Sequence, residues 1–153
     1  METWIGDLLL DHVTPAIKKH RDPLLLIPGM HEGGWVFENL LQTAVKAGWD
    51  AWALNLRGHH GSRPVEDFGR VSIMDYVEDV EDVLRKIGPA VLVGHSMGGL
   101  IAQIVADRNP EIPAVVLVNS AAPYGIFPGS RDTLSRYWKP QYLIATTLKR
   151  PLR

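Results

Sequence analysis

A serine flanked by glycines stands out in the segment Gly94-His95-Ser96-Met97-Gly98-Gly99. A serine that attacks a carbonyl carbon must be exposed, and it needs amide donors for the oxyanion that develops. The segment follows the apolar run 91–93 and precedes a stretch with helical periodicity, which is the strand–turn–helix context of the G-x-S-x-G nucleophile elbow. Gly94 and Gly98 allow the close approach of the strand and helix backbones that so tight a turn requires.

We therefore predict that Ser96 is a nucleophile and that the Met97 amide, unpaired at the start of the following helix, faces the oxyanion. Neighbouring side chains of an extended segment point apart, so we expect His95 to pack or to hydrogen-bond locally. The alternative is that the segment is a glycine-rich turn from strand to helix without chemistry.

Four short apolar runs bounded by turn residues predict the strands that must position this segment, namely 24–27, 51–56, 90–93 and 114–118. Three of them are almost continuously apolar, as expected of strands that are buried on both faces of a parallel sheet. Residues 4–18 are a weaker candidate for one or two edge strands.

Helical periodicity predicts three helices between these runs. The clearest covers 72–87, where Ser72 and Asp75 form a start like a capping box and Gly88-Pro89 ends the helix. The others cover about 35–47 and the stretch from Ser96 to Asn109. Alternating strands and helices are typical of a doubly wound, mostly parallel sheet, so we predict an α/β fold.

The composition excludes several classes of protein. The 153 residues are 46% hydrophobic and 22% charged with a net charge of -1, which is typical of one globular domain. Lysine and arginine form no stripe, so we expect a small-molecule substrate and no nucleic acid. The absence of cysteine excludes thiolate chemistry. Because no phosphate loop or metal-ligand spacing is present, we expect no cofactor and no metal.

The N-terminal residues 1–7 lack a basic stretch followed by an apolar one, and no segment has the long uncharged run of a membrane span. We therefore expect a cytoplasmic protein that does not bind membranes.

From Leu24 to Pro123 the motifs and their order resemble the α/β-hydrolase superfamily, in the branch of serine esterases and hydroxynitrile lyases. In that family a His-Gly-x loop follows the first parallel strand; here Pro28 replaces the histidine. The resemblance implies that Met30, the residue after the glycine, supplies the second oxyanion amide. The segment 56–62 is similar to a family segment that is structural in most members, with Asn55 where aspartate is common.

The family's triad follows the order serine, acid, histidine, but no histidine follows Ser96 in this sequence. The family's general base therefore has no counterpart in the chain. The acids after Ser96 are expected to be solvated surface carboxylates; they are Asp107, Glu111 and Asp132. The loop histidines form a weaker candidate set for a substitute dyad with Ser96; they are His31, His59 and His60.

We predict that residues 1–123 form an α/β-hydrolase core that carries the nucleophile, and that residues 124–153 begin a cap-like segment. The sheet is expected to be C-terminally incomplete, with an open edge at 114–118 that favours a homo-oligomer or a complementing C-terminal segment. The implied function is that of a serine hydrolase of ester-like or related small-molecule substrates, weakly active or inactive as this chain.

Three alternatives remain. The first is a non-catalytic binding or interaction module with the same fold. The second is lyase rather than hydrolase chemistry, which the sequence does not distinguish. A nucleotide-binding domain is less favoured, because the glycines flank a serine rather than leave open amides for a pyrophosphate.

Overall fold

The computed structural model describes residues 1–123, which form a six-stranded mixed sheet with helices on both faces. The strands are β1 (Glu2–Ile5), β2 (Leu8–Val13), β3 (Leu24–Ile27), β4 (Ala51–Leu54), β5 (Val91–His95) and β6 (Val115–Val118). The α-helices are α1 (Glu38–Lys46), α2 (Ile73–Ile87) and α3 (Met97–Arg108), with short 3-10 helices at Gly34–Phe37 and Phe68–Arg70.

The strands lie in the order β1-β2-β4-β3-β5-β6. The β1–β2 and β2–β4 pairs are antiparallel, whereas β4, β3, β5 and β6 pair in parallel. Ile27 is opposite Gly94 in the β3–β5 pair, so the loops after these two strands leave the sheet side by side. The α/β fold predicted from the sequence is confirmed. In such folds ligands bind beyond the carboxyl ends of the parallel strands, which here is where β3 and β5 end.

The central strand β3 shows why both faces of the sheet need helices. Leu25 and Ile27 enter the core under α2 and α3, whereas Leu26 enters the core under α1. Because successive side chains of a strand point to opposite faces, an almost continuous apolar run requires cover on both sides. The three-layer arrangement follows directly from the sequence of this strand.

Helix α2 begins as its sequence predicts. The Ser72 hydroxyl accepts from the Asp75 amide, and the Asp75 carboxylate accepts from the Ser72 amide, which completes a capping box. Gly88, with a φ of 83°, ends the helix. Tyr76, Val77 and Val80 form part of its buried face.

Several boundaries differ from the prediction. The region 4–18 corresponds to β1 and β2, of which β1 lies at an edge of the sheet formed by residues 1–123 whereas β2 lies between β1 and β4. The helix expected at 35–47 is a 3-10 turn followed by α1, because Gly33 is extended and offers no side-chain cap from which an α-helix could begin. The strand expected at 51–56 ends at Leu54; Asn55 and Leu56 stay fully buried while the chain turns toward Arg57.

Strand β6 lies at an edge of the sheet, since β5 is its sole strand partner within residues 1–123. Its apolar side chains are well exposed: Val116 by 47%, Leu117 by 46% and Val118 by 42%. The cap-like segment predicted at 124–153 lies outside the described residues. None of the helices in the described part of the chain combines the length and apolar character that crossing a bilayer needs. The cytoplasmic location stays a prediction.

Candidate active site

Ser96 lies at the turn between the last residue of β5 and the first residue of α3. Its φ of 51° and ψ of -117° belong to a region that residues with a side chain rarely adopt. Such strain persists only where the surrounding structure holds it, and it concentrates at functional sites. We use the name elbow for residues 94–98.

Glycines make this turn sterically feasible. A Cβ atom on Gly94 would overlap the Gly98 carbonyl oxygen, and one on Gly98 would overlap the Ile27 carbonyl oxygen. A Cβ atom on Gly99 would lie 2.5 Å from the Ser120 hydroxyl. The elbow is therefore packed backbone against backbone, as the G-x-S-x-G pattern predicts.

The Ser96 backbone is anchored while its hydroxyl is unpaired. The Ser96 amide donates to the Val118 carbonyl at 3.0 Å, and its carbonyl accepts from Gly99 at 3.0 Å and from Ala121 at 2.8 Å. The half-buried hydroxyl has no hydrogen-bond partner within residues 1–123. The Met97 amide lies in the first turn of α3, where amides have no intrahelical acceptor. This amide is available to an oxyanion.

The loop after β3, residues 28–32, lies against the elbow; we call it the oxyanion loop. A Cβ atom on Gly29 would lie 3.1 Å from the Ser96 Cβ, so Gly29 and Ser96 are in direct proximity. The neighbouring Met30 has an exposed side chain, and its amide makes no hydrogen bond within the described part of the chain. The fold thus brings Met30, whose role the family resemblance implies, to the side of Ser96.

A hydrogen bond that the sequence did not predict joins the two loops. Nδ1 of His95 lies 2.8 Å from Oε2 of Glu32, and the same oxygen accepts from the Gly29 amide at 2.8 Å. The expectation that His95 bonds locally is therefore wrong, because its partner is 63 residues away. His95 ends β5, and Glu32 lies in the loop after the adjacent parallel strand β3, so the sheet places both residues at the same end; this strand pairing was the signal for Glu32.

Burial by itself would raise the pKa of Glu32. The hydrogen bonds from His95 and from the Gly29 amide, together with the charge of His95, outweigh burial and hold the pKa below its ordinary value. Glu32 is therefore a carboxylate at neutral pH, and a carboxylate only accepts hydrogen bonds. Nδ1 of His95 must accordingly carry a hydrogen.

A model of the family described as the alpha/beta hydrolase fold matches residues 22–150. This chain belongs to the α/β-hydrolase family. Its relatives include hydrolases of different kinds. It is 35% identical over 74 residues to the sn-1-specific diacylglycerol lipase ABHD11 of Mus musculus, covering 47% of this chain and 24% of the lipase. It is 28% identical over 115 residues to Epoxide hydrolase 4 of Mus musculus, covering 73% of this chain and 32% of that protein.

Solved structures agree on the fold. The N-acyl homoserine lactonase AidH, solved with N-butanoyl homoserine, superimposes with a TM-score of 0.68 at 23% identity. The match covers 95% of this chain and 52% of the lactonase. The chain thus spans about half of that structure and a smaller share of the two curated relatives.

None of the loop histidines of this α/β-hydrolase chain forms a hydrogen bond with Ser96 in the part of the chain that the structure describes. His59 is buried, its Nδ1 lies 2.9 Å from the Arg57 carbonyl oxygen, and its ring lies edge-on to Phe68 and Tyr76. His31 and His60 are exposed. Within residues 1–123 none of the three is hydrogen-bonded to Ser96, so no preformed Ser–His dyad is present.

The acids after Ser96 that the structure describes are at the surface. Asp107 and Glu111 are both exposed, which confirms that they are solvated carboxylates. Asp132 lies outside the described residues. No group of three or more histidine, aspartate or glutamate side chains in the described range is placed to hold a metal ion.

The segment after β4 is anchored to α2 through a buried carboxylate. Asp79 of α2 is fully buried and accepts from the Arg57 amide at 2.9 Å, from Arg57 Nε at 3.0 Å and from Arg63 Nη1 at 3.0 Å. A buried carboxylate is tolerated when several donors satisfy it. These contacts fasten the loop 55–63 to α2 and agree with the structural role that the family resemblance implies.

Proposed function

We propose that this chain carries the nucleophile of a serine hydrolase that acts on ester-like or related small-molecule substrates. The observation that carries the proposal is the conformation of Ser96: a serine with a positive φ at a glycine-packed turn, with its backbone anchored and its hydroxyl without a hydrogen-bond partner within residues 1–123. A serine with only a packing role has no need of so strained a turn.

The reaction would begin with attack of the Ser96 oxygen on the carbonyl carbon of the substrate. The new C–O bond forms as the carbonyl electron pair moves to oxygen, and the amides of Met97 and Met30 would stabilise that oxyanion. The serine proton would pass to solvent or to a supplied base. Collapse of the intermediate would break the bond to the leaving oxygen, which takes up a proton and departs as the alcohol. Water would then hydrolyse the acyl–Ser96 ester, which releases the acid and restores the serine hydroxyl.

The serine proton has no assigned acceptor in this chain, because no histidine follows Ser96 and none of the loop histidines is hydrogen-bonded to it within residues 1–123. A serine without a base is a weak nucleophile. We therefore propose slow turnover, or none, for the chain by itself, and full activity where a base is supplied.

The substrate class rests on the named activity of one curated relative. The likeness to the diacylglycerol lipase supports an ester substrate here. The likeness to an epoxide hydrolase shows that the same fold serves several reactions.

Hydrolysis of a short-chain p-nitrophenyl ester tests the proposal. The wild-type chain, Ser96→Ala and the control Thr43→Ala, which removes an exposed hydroxyl on α1, are assayed together after their folds are checked by circular dichroism. We expect slow turnover in the wild type and in the control, and only the uncatalysed rate in Ser96→Ala. Equal turnover in all three proteins would exclude Ser96 as the nucleophile.

A second candidate is a non-catalytic binding module. The observation that favours it is that no histidine is hydrogen-bonded to the Ser96 hydroxyl among residues 1–123. This candidate predicts saturable binding of the ester with no Ser96-dependent product, which the assay and a binding isotherm on the same protein distinguish from catalysis.

A further inference from the structure

Glu32 occupies a position that the proposed mechanism does not use. One oxygen of its carboxylate accepts from two donors, the Gly29 amide and the His95 ring, each at 2.8 Å. The first donor belongs to the oxyanion loop and the second to the elbow. A single atom therefore ties together the two segments whose amides must converge on one oxyanion.

Gly29 packs against both this carboxylate and Ser96. A Cβ atom on Gly29 would lie 2.8 Å from Glu32 Oε2 and 3.1 Å from the Ser96 Cβ. No side chain fits there, because the carboxylate and Ser96 both border the space that a Cβ atom of Gly29 would occupy. A shift of Glu32 would be transmitted to the position of Gly29 and of the Met30 amide that follows it.

The oxyanion loop also needs an external restraint. His31 has a φ of 64°, which is unfavourable for a residue with a side chain, and the turn is otherwise closed by a long 3.3 Å hydrogen bond from the Glu32 amide to the Gly29 carbonyl. A strained turn with one weak closing bond relaxes unless other contacts hold it. The charge-assisted bonds of Glu32 are the stronger contacts at this turn.

We propose that Glu32 is a positioning residue, which clamps the oxyanion loop to His95 of the elbow and so keeps the Met30 amide beside Ser96. The proposal rests on the proposed hydrolase function. Glu32 acts through Gly29 and His95 and does not itself touch the reacting atoms. Its effect is therefore expected on the transition state rather than on the affinity for substrate.

The clamp predicts two signatures that do not depend on catalysis. At alkaline pH the neutral His95 ring should hold its hydrogen on Nδ1, because the carboxylate can only accept. The Gly29 amide should exchange slowly with solvent. In Glu32→Ala we expect loss of the Nδ1–H tautomer of His95 and at least tenfold faster exchange of the Gly29 amide, with unchanged exchange in β5. Glu66→Gln, an exposed acid without an ion pair in the described residues, is the control that changes neither.

The catalytic readout is hydrolysis of the p-nitrophenyl ester. We expect about a tenfold lower kcat with an unchanged KM in Glu32→Ala, since loss of one oxyanion donor costs up to about a thousandfold and a displaced donor costs part of that. Glu32→Gln keeps an acceptor oxygen without the charge and should restore kcat in part. A role in folding alone would not produce this division between kcat and KM.

The outcomes separate the two proposals. Unchanged Gly29 exchange and an unchanged His95 tautomer in Glu32→Ala would overturn the clamp. Loss of both signatures with an unchanged kcat would overturn the positioning role and leave the hydrolase function intact. If the wild type shows no Ser96-dependent turnover, the hydrolase function fails for this chain. The His95 tautomer and the Gly29 amide exchange, both measured by NMR, still decide whether Glu32 clamps the two loops together.

Discussion

The side-chain oxygen of Asn55 accepts a buried hydrogen bond from the Gly34 amide at a distance of 2.8 Å. The Nδ2 group of Asn55 donates in turn to the Leu9 carbonyl of β2 at 3.0 Å. One fully buried side chain therefore needs both an acceptor and a donor at this position. An amide satisfies both partners, whereas a carboxylate, which has no donor, would satisfy only Gly34.

Asn55→Asp is therefore expected to destabilise the fold although aspartate is common at this point in the family. The Leu9 carbonyl would lose its side-chain donor and would face a buried negative charge. We expect a loss of about 1–3 kcal/mol or more in the free energy of unfolding at neutral pH. Urea unfolding of both proteins at neutral and acidic pH measures it. Protonation of the new carboxyl should recover part of the loss, and equal stability at neutral pH would contradict this account.

Gly98→Ala tests the packing of the elbow. The added Cβ would collide with the backbone carbonyl oxygens of Ile27 and Pro28, which cannot move without disturbing β3. We expect a loss of about 1–3 kcal/mol or more, as in other overpacked sites. In the control Gly69→Ala the nearest atom is Asp67 Oδ1 at 3.1 Å, on an exposed and adaptable side chain. Thermal unfolding that is equally affected in both variants would refute the close packing of the elbow.

The sequence predicted the parts of the fold that short local patterns specify, namely apolar strands and a capped helix start. Apolar runs predicted the four parallel strands β3 to β6, and Ser72 with Asp75 predicted the start of α2, because these signals are local. The elbow was predictable because its glycines and serine are adjacent in the chain. The Glu32–His95 pair was missed because its evidence is the register of β3 against β5, which no local pattern contains.

The stability of the wild type should depend on the ionisation of Glu32 at acidic pH. Its pKa in the folded protein lies below the ordinary value of 4.5, so the carboxylate stabilises the native state above that pH. This contribution is lost as the pH falls through the lowered pKa. We expect the stability difference between the wild type and Glu32→Gln, below about 1 kcal/mol for a partly exposed group, to be present near pH 6.

The same difference should shrink as the pH falls below 4.5 and through the lowered pKa of Glu32, where the carboxylate takes up a proton. Unfolding by urea at several pH values measures it, and subtracting the variant removes the contribution of the other carboxylates. A difference that stays constant or grows on acidification would contradict the lowered pKa.

The exposed edge strand β6 should govern association of the chain in solution. Its half-exposed Val116, Leu117 and Val118 present an apolar edge without charge, proline or glycine. Such an edge favours pairing with a second copy or with a complementing segment. We expect self-association in sedimentation velocity that rises with concentration and is reduced by Leu117→Lys.

Met74→Lys is the matched control, because Met74 has a similar exposure of 44% but lies on α2. The control should associate like the wild type. A wild-type chain that stays monomeric at high concentration, with the β6 amides strongly protected from exchange, would show that this edge is already covered.

The most direct test of the central claim is covalent labelling of Ser96 with a fluorophosphonate. The serine oxygen forms a bond to phosphorus, fluoride leaves, and the hydroxyl proton passes to solvent. We predict slow labelling that peptide mass spectrometry assigns to Ser96, that is absent in Ser96→Ala and that persists in Thr43→Ala. Labelling spread over other serines, or equal labelling of Ser96→Ala and the wild type, would contradict the assignment of Ser96 as the nucleophile.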